Sequence, residues 1–336
     1  ADIRRLYVNI MNDELNKTNP SLDITQNRLE RFGVVVAADH SPTGAQALAW
    51  YYQRNNAFSN AVDWFKLAVN WSPDGGDAKI NEGYALALKG TDHWAEAEDV
   101  AFAWKDRAPD MRAIYFGLVI DQMNKPQYAD KMTEPRVQRF EGVVLQDRSD
   151  DGAQALGWFR YGQKGHGYGV NWFKQATEWS PERRKDPKTN EGYAASLRLV
   201  GRLTEAEAIA YPFINVTELM KKLYVEIVVE ELTHDNPPEP VPEPRIANFV
   251  AVIAPDMNPL GAQALGWYRL ERHENTEAVK WFRDALDWWP PQEALKHADQ
   301  KTFEDYKSIL ARLVMMHEAY RKSPRAYTST ATLLGH

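Results

Sequence analysis

A ten-residue stretch recurs three times along the chain. Ser41-Pro42-Thr43-Gly44-Ala45-Gln46-Ala47-Leu48-Ala49-Trp50 returns as Ser149-Asp150-Asp151-Gly152-Ala153-Gln154-Ala155-Leu156-Gly157-Trp158 and again as Asn258-Pro259-Leu260-Gly261-Ala262-Gln263-Ala264-Leu265-Gly266-Trp267. The glycines at 44, 152 and 261 are 108 and 109 residues apart. The same steps relate Tyr7, Tyr115 and Tyr224; Phe32, Phe140 and Phe249; and Asp39, Asp147 and Asp256. With Trp64, Trp172, Trp281 and Trp71, Trp179, Trp288, nine of the twelve tryptophans stand in three columns of three, which chance would not arrange. Copies of one sequence make one local structure. A repeat too small to bury its apolar face alone buries it on its neighbour, so a stacked array is expected.

Within a copy the apolar spacing is helical. Ala61, Trp64, Phe65, Ala68 and Trp71 share one face of a segment that Pro73 ends, and Gly44 to Arg54 forms a second amphipathic helix before the turn Asn55-Asn56. Ile80 to Leu88 with Trp94 to Trp104, and Met111 to Met123 with Arg136 to Leu145, supply two further pairs, so three helical hairpins of about 36 residues fill each copy. The chain is expected to divide into an N-terminal partial unit (1–38), repeat units at 39–146 and 147–255, and a third unit with a C-terminal cap at 256–336. Phe303 to Tyr320, helical in period but without the repeat pattern, is the expected cap. The proline-rich run Asp235 to Pro244 reads at first as an interdomain linker. Lys125 to Pro135 fills the same slot one copy earlier, so both read as stiff loops inside a repeat.

These residues resemble the tetratricopeptide repeat, a helix-turn-helix of about 34 residues with small and large apolar residues at fixed places. Leu265-Gly266, Ala278, Phe282, Ala285 and Pro290 match its Leu-Gly, Ala, Phe, Ala and Pro positions in order. Leu156-Gly157, Phe173, Ala176 and Pro181 match with Gly169 in the Ala place; Leu48, Ala61, Phe65, Ala68 and Pro73 match with Ala49 in the Gly place. The pattern is weak around Tyr115, Tyr224 and the C-terminal segment. The resemblance implies an all-α, right-handed superhelical solenoid. The Trp-rich hairpins are also similar in style to the periplasmic tetratricopeptide scaffold of bacterial exopolysaccharide and cellulose export proteins.

In the tetratricopeptide family the first helix of each hairpin lines the concave face. The resemblance therefore puts Gln46 with Trp50, Gln154 with Trp158 and Gln263 with Trp267 there, one helical turn apart. An amide beside an indole suits a peptide backbone or a sugar, though packing of each Trp on the adjacent hairpin explains the pairs as well. Lys79 with Glu82 and Lys188 with Glu191 take the corresponding places on the second hairpins, within the recurring Asn81-Glu82-Gly83-Tyr84 and Asn190-Glu191-Gly192-Tyr193. Such a charged pair clamps a peptide terminus or places a carboxylate near a helix start. The Trp64 and Trp71 columns read as core between hairpins, and the Asp39, Asp147 and Asp256 column as helix-start and turn capping.

Other chemistry finds little footing. The eight histidines offer no His-x-x-x-His or His-Glu-x-x-His spacing, and cysteine is absent, so no metal centre or cofactor is expected. Gly165-His166-Gly167-Tyr168-Gly169 lacks the Gly-Lys-Ser/Thr ending of a phosphate loop and reads as a hairpin turn. With 40 Lys and Arg against 47 Asp and Glu the net charge is −7, which argues against nucleic acid as a partner, and no apolar run is long enough for a membrane helix. The expectation is a non-catalytic scaffold that holds a partner protein or extended peptide on its concave surface. The alternative is a polysaccharide synthesis or export scaffold that stacks aromatics on glycan. A periplasmic location, with the cytoplasm as alternative, is expected from the missing cysteines and the Ala1-Asp2 start.

Overall fold

Each ten-residue stretch opens a helix, and its first residue is the cap. The Ser41 hydroxyl accepts from the Gly44 N–H at 3.2 Å, Ser149 from Gly152 at 3.1 Å, and the Asn258 side-chain carbonyl from Gly261 at 2.9 Å. These caps satisfy an amide that the first helical turn leaves without a partner. Pro42 and Pro259 follow at the first helical position, where a missing N–H costs nothing. The glycine serves the crossing between hairpins: a Cβ on Gly44 or Gly152 would lie 2.5 Å from a methyl of Val36 or Val144.

The computed structural model describes residues 2–17, 24–233, 240–288, 311, 314 and 315. All regular structure among them is helical. The chain forms two compact bodies, Ala1–Phe159 and Arg160–His336. The first holds α1 (Asp2–Asn16), α2 (Gln26–Ala38), α3 (Pro42–Arg54), α4 (Phe58–Trp71), α5 (Ala78–Gly90), α6 (Trp94–Trp104), α7 (Pro109–Met123), α8 (Pro126–Ala129), α9 (Glu134–Asp147) and most of α10 (Asp150–Gly162). The second holds the end of α10, α11 (His166–Trp179), α12 (Pro181–Lys185), α13 (Pro187–Leu199), α14 (Leu203–Ala210), α15 (Glu218–Leu232), α16 (Glu243–Ile253), α17 (Pro259–Glu271) and α18 (Asn275–Trp288). In the first body α3 packs on α4, α4 on α5, α5 on α6 and α6 on α7; in the second α11 packs on α13, α13 on α14, α14 on α15 and α17 on α18. Each body is thus a succession of helical hairpins, each covering the next.

The core of a hairpin is the phenylalanine column. Phe65, Phe173 and Phe282 are buried in α4, α11 and α18, flanked on the same face by Ala61 and Ala68, Gly169 and Ala176, and Ala278 and Ala285. Each ring contributes roughly 1.5–3 kcal/mol by leaving water, and the small neighbours let the paired helix approach. Trp64 lies against Gly33 of the preceding hairpin, as the core reading of that column expects. The turns keep a left-handed residue at the same place where they differ in sequence. His40, Arg148 and Met257 are left-handed (φ 47°, 50°, 47°), as are Asn56, Lys164 and His273 (φ 58°, 61°, 61°). Asp92 and Gly201 make a further pair at φ 67° and 76°.

Two sets of ion pairs brace the stack, the first joining the two helices of one hairpin and the second joining neighbouring hairpins. Asp39, Asp147 and Asp256 do not cap the following helix, because Ser41, Ser149 and Asn258 do. They lie at the end of the preceding helix and take a cation from the helix before it: Arg4 to Asp39 at 3.4 Å, Arg112 to Asp147 at 2.5 and 2.6 Å, and Lys221 to Asp256. The second set is buried. Glu98 of α6, with no exposed surface, accepts from Arg136 at 3.0 Å and from Arg139 at 2.5 Å, and Arg136 also donates to Gln122 at 2.8 Å. The later copy repeats this with Glu207, Arg245 and Glu231, Arg245 donating at 2.7 Å to the first and 2.5 Å to the second. Burial and the neighbouring carboxylate raise the pKa of Tyr115 beside Glu98 and of Tyr224 beside Glu207.

Two further expectations are revised. Of Gly165 to Gly169 only Gly165 lies outside a helix, as the N-cap of α11; His166 to Gly169 are the helix's first turn. The loop Lys125 to Pro135 contains the one-turn helix α8 and runs into α9 at Glu134. Its counterpart is described only from Pro240 onward, and Pro290 and the expected cap, Phe303 to Tyr320, lie outside the described residues save Ala311, Val314 and Met315.

Candidate peptide-binding face

In the recurring Asn-Glu-Gly-Tyr motif, packing holds the asparagine and the glycine in both copies. Asn81 is buried and its amide donates to the carbonyls of Gly75 and Asp77, both at 2.9 Å; Asn190 donates to Asp186 at 2.8 Å. Gly83 and Gly192 lie under Phe65 and Phe173, and Tyr193 is buried. Glu82 and Glu191 are half-exposed on α5 and α13, as is Tyr84.

In the first body the predicted residues Trp50, Lys79 and Glu82 meet. The Trp50 indole meets Phe65 edge-on, centroids 5.3 Å apart and planes at 89°, and its rim reaches Gly83 of the next hairpin. The Lys79 ammonium lies 5.0 Å from the Trp50 ring centre and 2.9 Å from a Glu82 oxygen. A cation held between a π-face and a carboxylate is an exposed contact worth about 0.5–1 kcal/mol. Gln46, one turn earlier on α3, is half-buried. Packing accounts for most of Trp50; its remaining surface faces outward beside Lys79.

Gln154 and Trp158 occupy the same places on α10, both half-buried. In the second body Trp267 repeats the edge-on contact, 5.1 Å and 70° from Phe282, with Gln263 half-buried a turn before it. Each indole of the two described pairs is thus wedged on the phenylalanine of its own hairpin.

The second body carries a depression of about 240 Å³ between α13 and α15, closed at one side by Tyr161. Glu191 is on its wall; Lys188 is exposed and does not line it. The floor and rim are apolar: Leu199 is 50% and Leu219 63% exposed, with Leu223 beside them. Arg198 crosses from α13 to α15, donating to Glu230 at 2.7 Å and to Glu226 at 2.5 Å. Burial alone would lower its pKa, but the hydrogen bonds to Glu230 and Glu226 carry it above the usual value, so it remains a fixed cation. Lys89 and Asp121 make the corresponding bridge at 2.7 Å in the first body. Lys222, at the rim, is 77% exposed and 3.9 Å from Glu226. The wall therefore offers leucines for an apolar side chain, with a carboxylate on one helix and an ammonium on the other.

Leu199, Leu219, Leu223 and Lys222 escaped the sequence reading. The signal was present in α15, whose apolar residues run round the helix: Met220, Tyr224 and Ile227 are core, and Leu219 and Leu223 form a second stripe. A helix apolar on two faces has two partners to satisfy. Among the described residues no group of three or more His, Asp or Glu is placed to hold a metal ion, and no helix is long and apolar enough to cross a membrane.

No family model matches this chain, and no curated protein matches it. The chain is a helical-repeat protein. Among solved structures it is similar to a chain in the crystal structure of the APC/C hetero-tetramer Cut9-Hcn1, at 9% identity over 88% of this chain and 70% of that one, with a TM-score of 0.29. The fold is defined by the packed hairpins themselves.

Proposed function

We propose that this protein is a non-catalytic scaffold that holds an extended segment of a partner protein along the first helices of its hairpins, with the depression between α13 and α15 as a principal contact. The observation that carries this is the pair Leu199 and Leu219, large apolar side chains left in water beside Glu191 and Lys222. An extended chain lays a leucine-sized side chain between them and sets its charged neighbours against the two ions. Rigid helices present these contacts already ordered, so the ligand bears most of the ordering cost. The half-exposed Trp50 and Glu82, with the exposed Lys79, extend the same kind of surface on the first body.

The test is fluorescence anisotropy with a panel of labelled extended peptides, each a central Leu flanked by Lys or Glu in varied order. Leu219→Asp and Glu191→Lys change residues on the open face, so helical circular dichroism is expected to stay as in the parent. Saturable binding that both substitutions weaken at least about tenfold supports the reading, since burying one leucine is worth roughly 1.5–3 kcal/mol. Binding untouched by either change, or oligosaccharides that bind where peptides do not, overturns it.

A further inference from the structure

The three long columns allow one surface to be compared in three settings. Ile3, Leu6 and Ile10 of α1 stand 85%, 60% and 45% exposed, along one stripe at positions i, i+3 and i+7. One step of 108 later these are Met111, Ile114 and Leu118 of α7; a further 109 makes them Met220, Leu223 and Ile227 of α15. Met111, Leu118, Met220 and Ile227 are buried. The cover comes from the hairpin before: α5 and α6 pack on α7, and α13 and α14 pack on α15. Helix α1 itself packs on α2 and α3.

The tyrosine column tells the same story. Tyr115 and Tyr224 are fully buried, each between two aromatics, one from its own hairpin and one from the hairpin before. Tyr115 meets Phe140 at 5.9 Å and Phe102 at 5.3 Å; Tyr224 meets Phe249 at 6.3 Å and Tyr211 at 5.5 Å. Tyr7 keeps the first contact, Phe32 at 5.9 Å, and is only half-buried. The covering helices share a pattern, Ala97-Glu98-Asp99-Val100-Ala101-Phe102 and Ala206-Glu207-Ala208-Ile209-Ala210-Tyr211. Both pairs of alanines are buried, the glutamate takes the arginine of the column Arg136 and Arg245, and the aromatic closes over the tyrosine. Arg28 of α2 continues that arginine column.

We infer that the Ile3-Leu6-Ile10 face of α1 is a docking surface for a helical hairpin whose second helix reads Ala-Glu-x-x-Ala-aromatic. The alanines seat on the stripe, the glutamate reaches toward Arg28, and the aromatic closes over Tyr7. This surface is separate from the peptide-binding depression and stands or falls independently of it.

The chain has no cysteine, so one introduced thiol is a clean reporter. Ile10→Cys is labelled with a maleimide in the parent chain and in a chain carrying a second copy of residues 78–108 directly ahead of Ala1, as the original precedes Pro109. Labelling in the extended chain is expected to slow by about tenfold or more, as for a site that opens only by local unfolding. Leu6→Glu, or Ala101→Glu within the added copy, should restore the parent rate while circular dichroism shows the host helices retained. Equal rates in the parent and extended chains overturn the inference. So does labelling of the parent that slows with protein concentration, which would assign the face to a second copy of the chain.

Discussion

Gly192 stands in the middle of α13, where alanine would ordinarily be the better residue. Removing the glycine's backbone freedom gains about 0.8–1 kcal/mol in a helix interior. Here the added Cβ would lie 2.3 Å from Cζ of Phe173, with two more ring atoms at 2.8 and 2.9 Å. Phe173 is fully buried, so its ring has nowhere to retreat without parting the hairpin. Overpacking of this kind costs about 1–3 kcal/mol, and three ring atoms inside 3 Å put it in the upper half of that range. Gly192→Ala should therefore lose about 1–2 kcal/mol net. Gly117→Ala in α7 and Gly142→Ala in α9 have nothing within 4 Å of the new methyl, and should gain about 1 kcal/mol. Urea unfolding followed by circular dichroism reads the difference as midpoints that move in opposite directions at constant slope. Phe173→Leu supplies the internal check: with Gly192→Ala it should cost less than the two single changes summed, by about 1 kcal/mol. A Gly192→Ala protein as stable as Gly142→Ala, or strict additivity with Phe173→Leu, would refute the wedge on which the hairpin packing rests.

Lys164→Gly and His273→Gly, at left-handed turn positions with φ of 61°, should each stabilise the protein by about 0.5–1 kcal/mol, read as a rise in the same urea midpoint. Asp186 caps α13; burial alone would raise its pKa, but the Thr189 hydroxyl and the Thr189 and Lys188 amides outweigh it and the pKa is lowered. Because the folded value lies below the unfolded one, its contribution is full at neutral pH and is lost as pH falls below about 4, so Asp186→Asn should flatten that part of the stability–pH curve. Glu98→Ala leaves Arg136 and Arg139 without their buried partner and should cost about 3–5 kcal/mol, whereas Asp106→Ala, at an exposed pair, should leave the urea midpoint close to the parent's.

Periodicity made the hairpins legible because it reports which face of a helix is buried, and the Ala61, Phe65, Ala68 spacing says so without a partner in view. The long repeat did more, since it put the turn at Asn55-Asn56 and the one at Lys164 in register though they share no residue type. What it could not supply was which distant charges pair. Asp147 and Arg112 are 35 residues apart, and the cation column mixes Arg4 and Arg112 with Lys221, so the acid read as a cap. Glu98 and Arg136, 38 apart, look in sequence like ordinary charges on solvated faces; only packing removes their water. Gly165 to Gly169 was misread because glycine-rich stretches favour turns, while a first helical turn still waiting for its hydrogen bonds tolerates them. Of the candidate site, the indoles were found and their wedging on Phe65 and Phe282 was not, and Glu191 was found without its leucines. An exposed Leu219 and a buried Met220 are adjacent apolar letters that sequence alone does not tell apart.

The two long copies form one structure twice over, and residue-resolved amide hydrogen exchange over 39–146 and 147–255 tests that most directly. The profiles should overlay when shifted by 108 residues as far as Trp71 and by 109 from Asn81 onward, slowest around Phe65 and Phe173 and fastest at Asn56 and Lys164. Profiles that share no period, or slow exchange through the Asn56 and Lys164 turns, would contradict it.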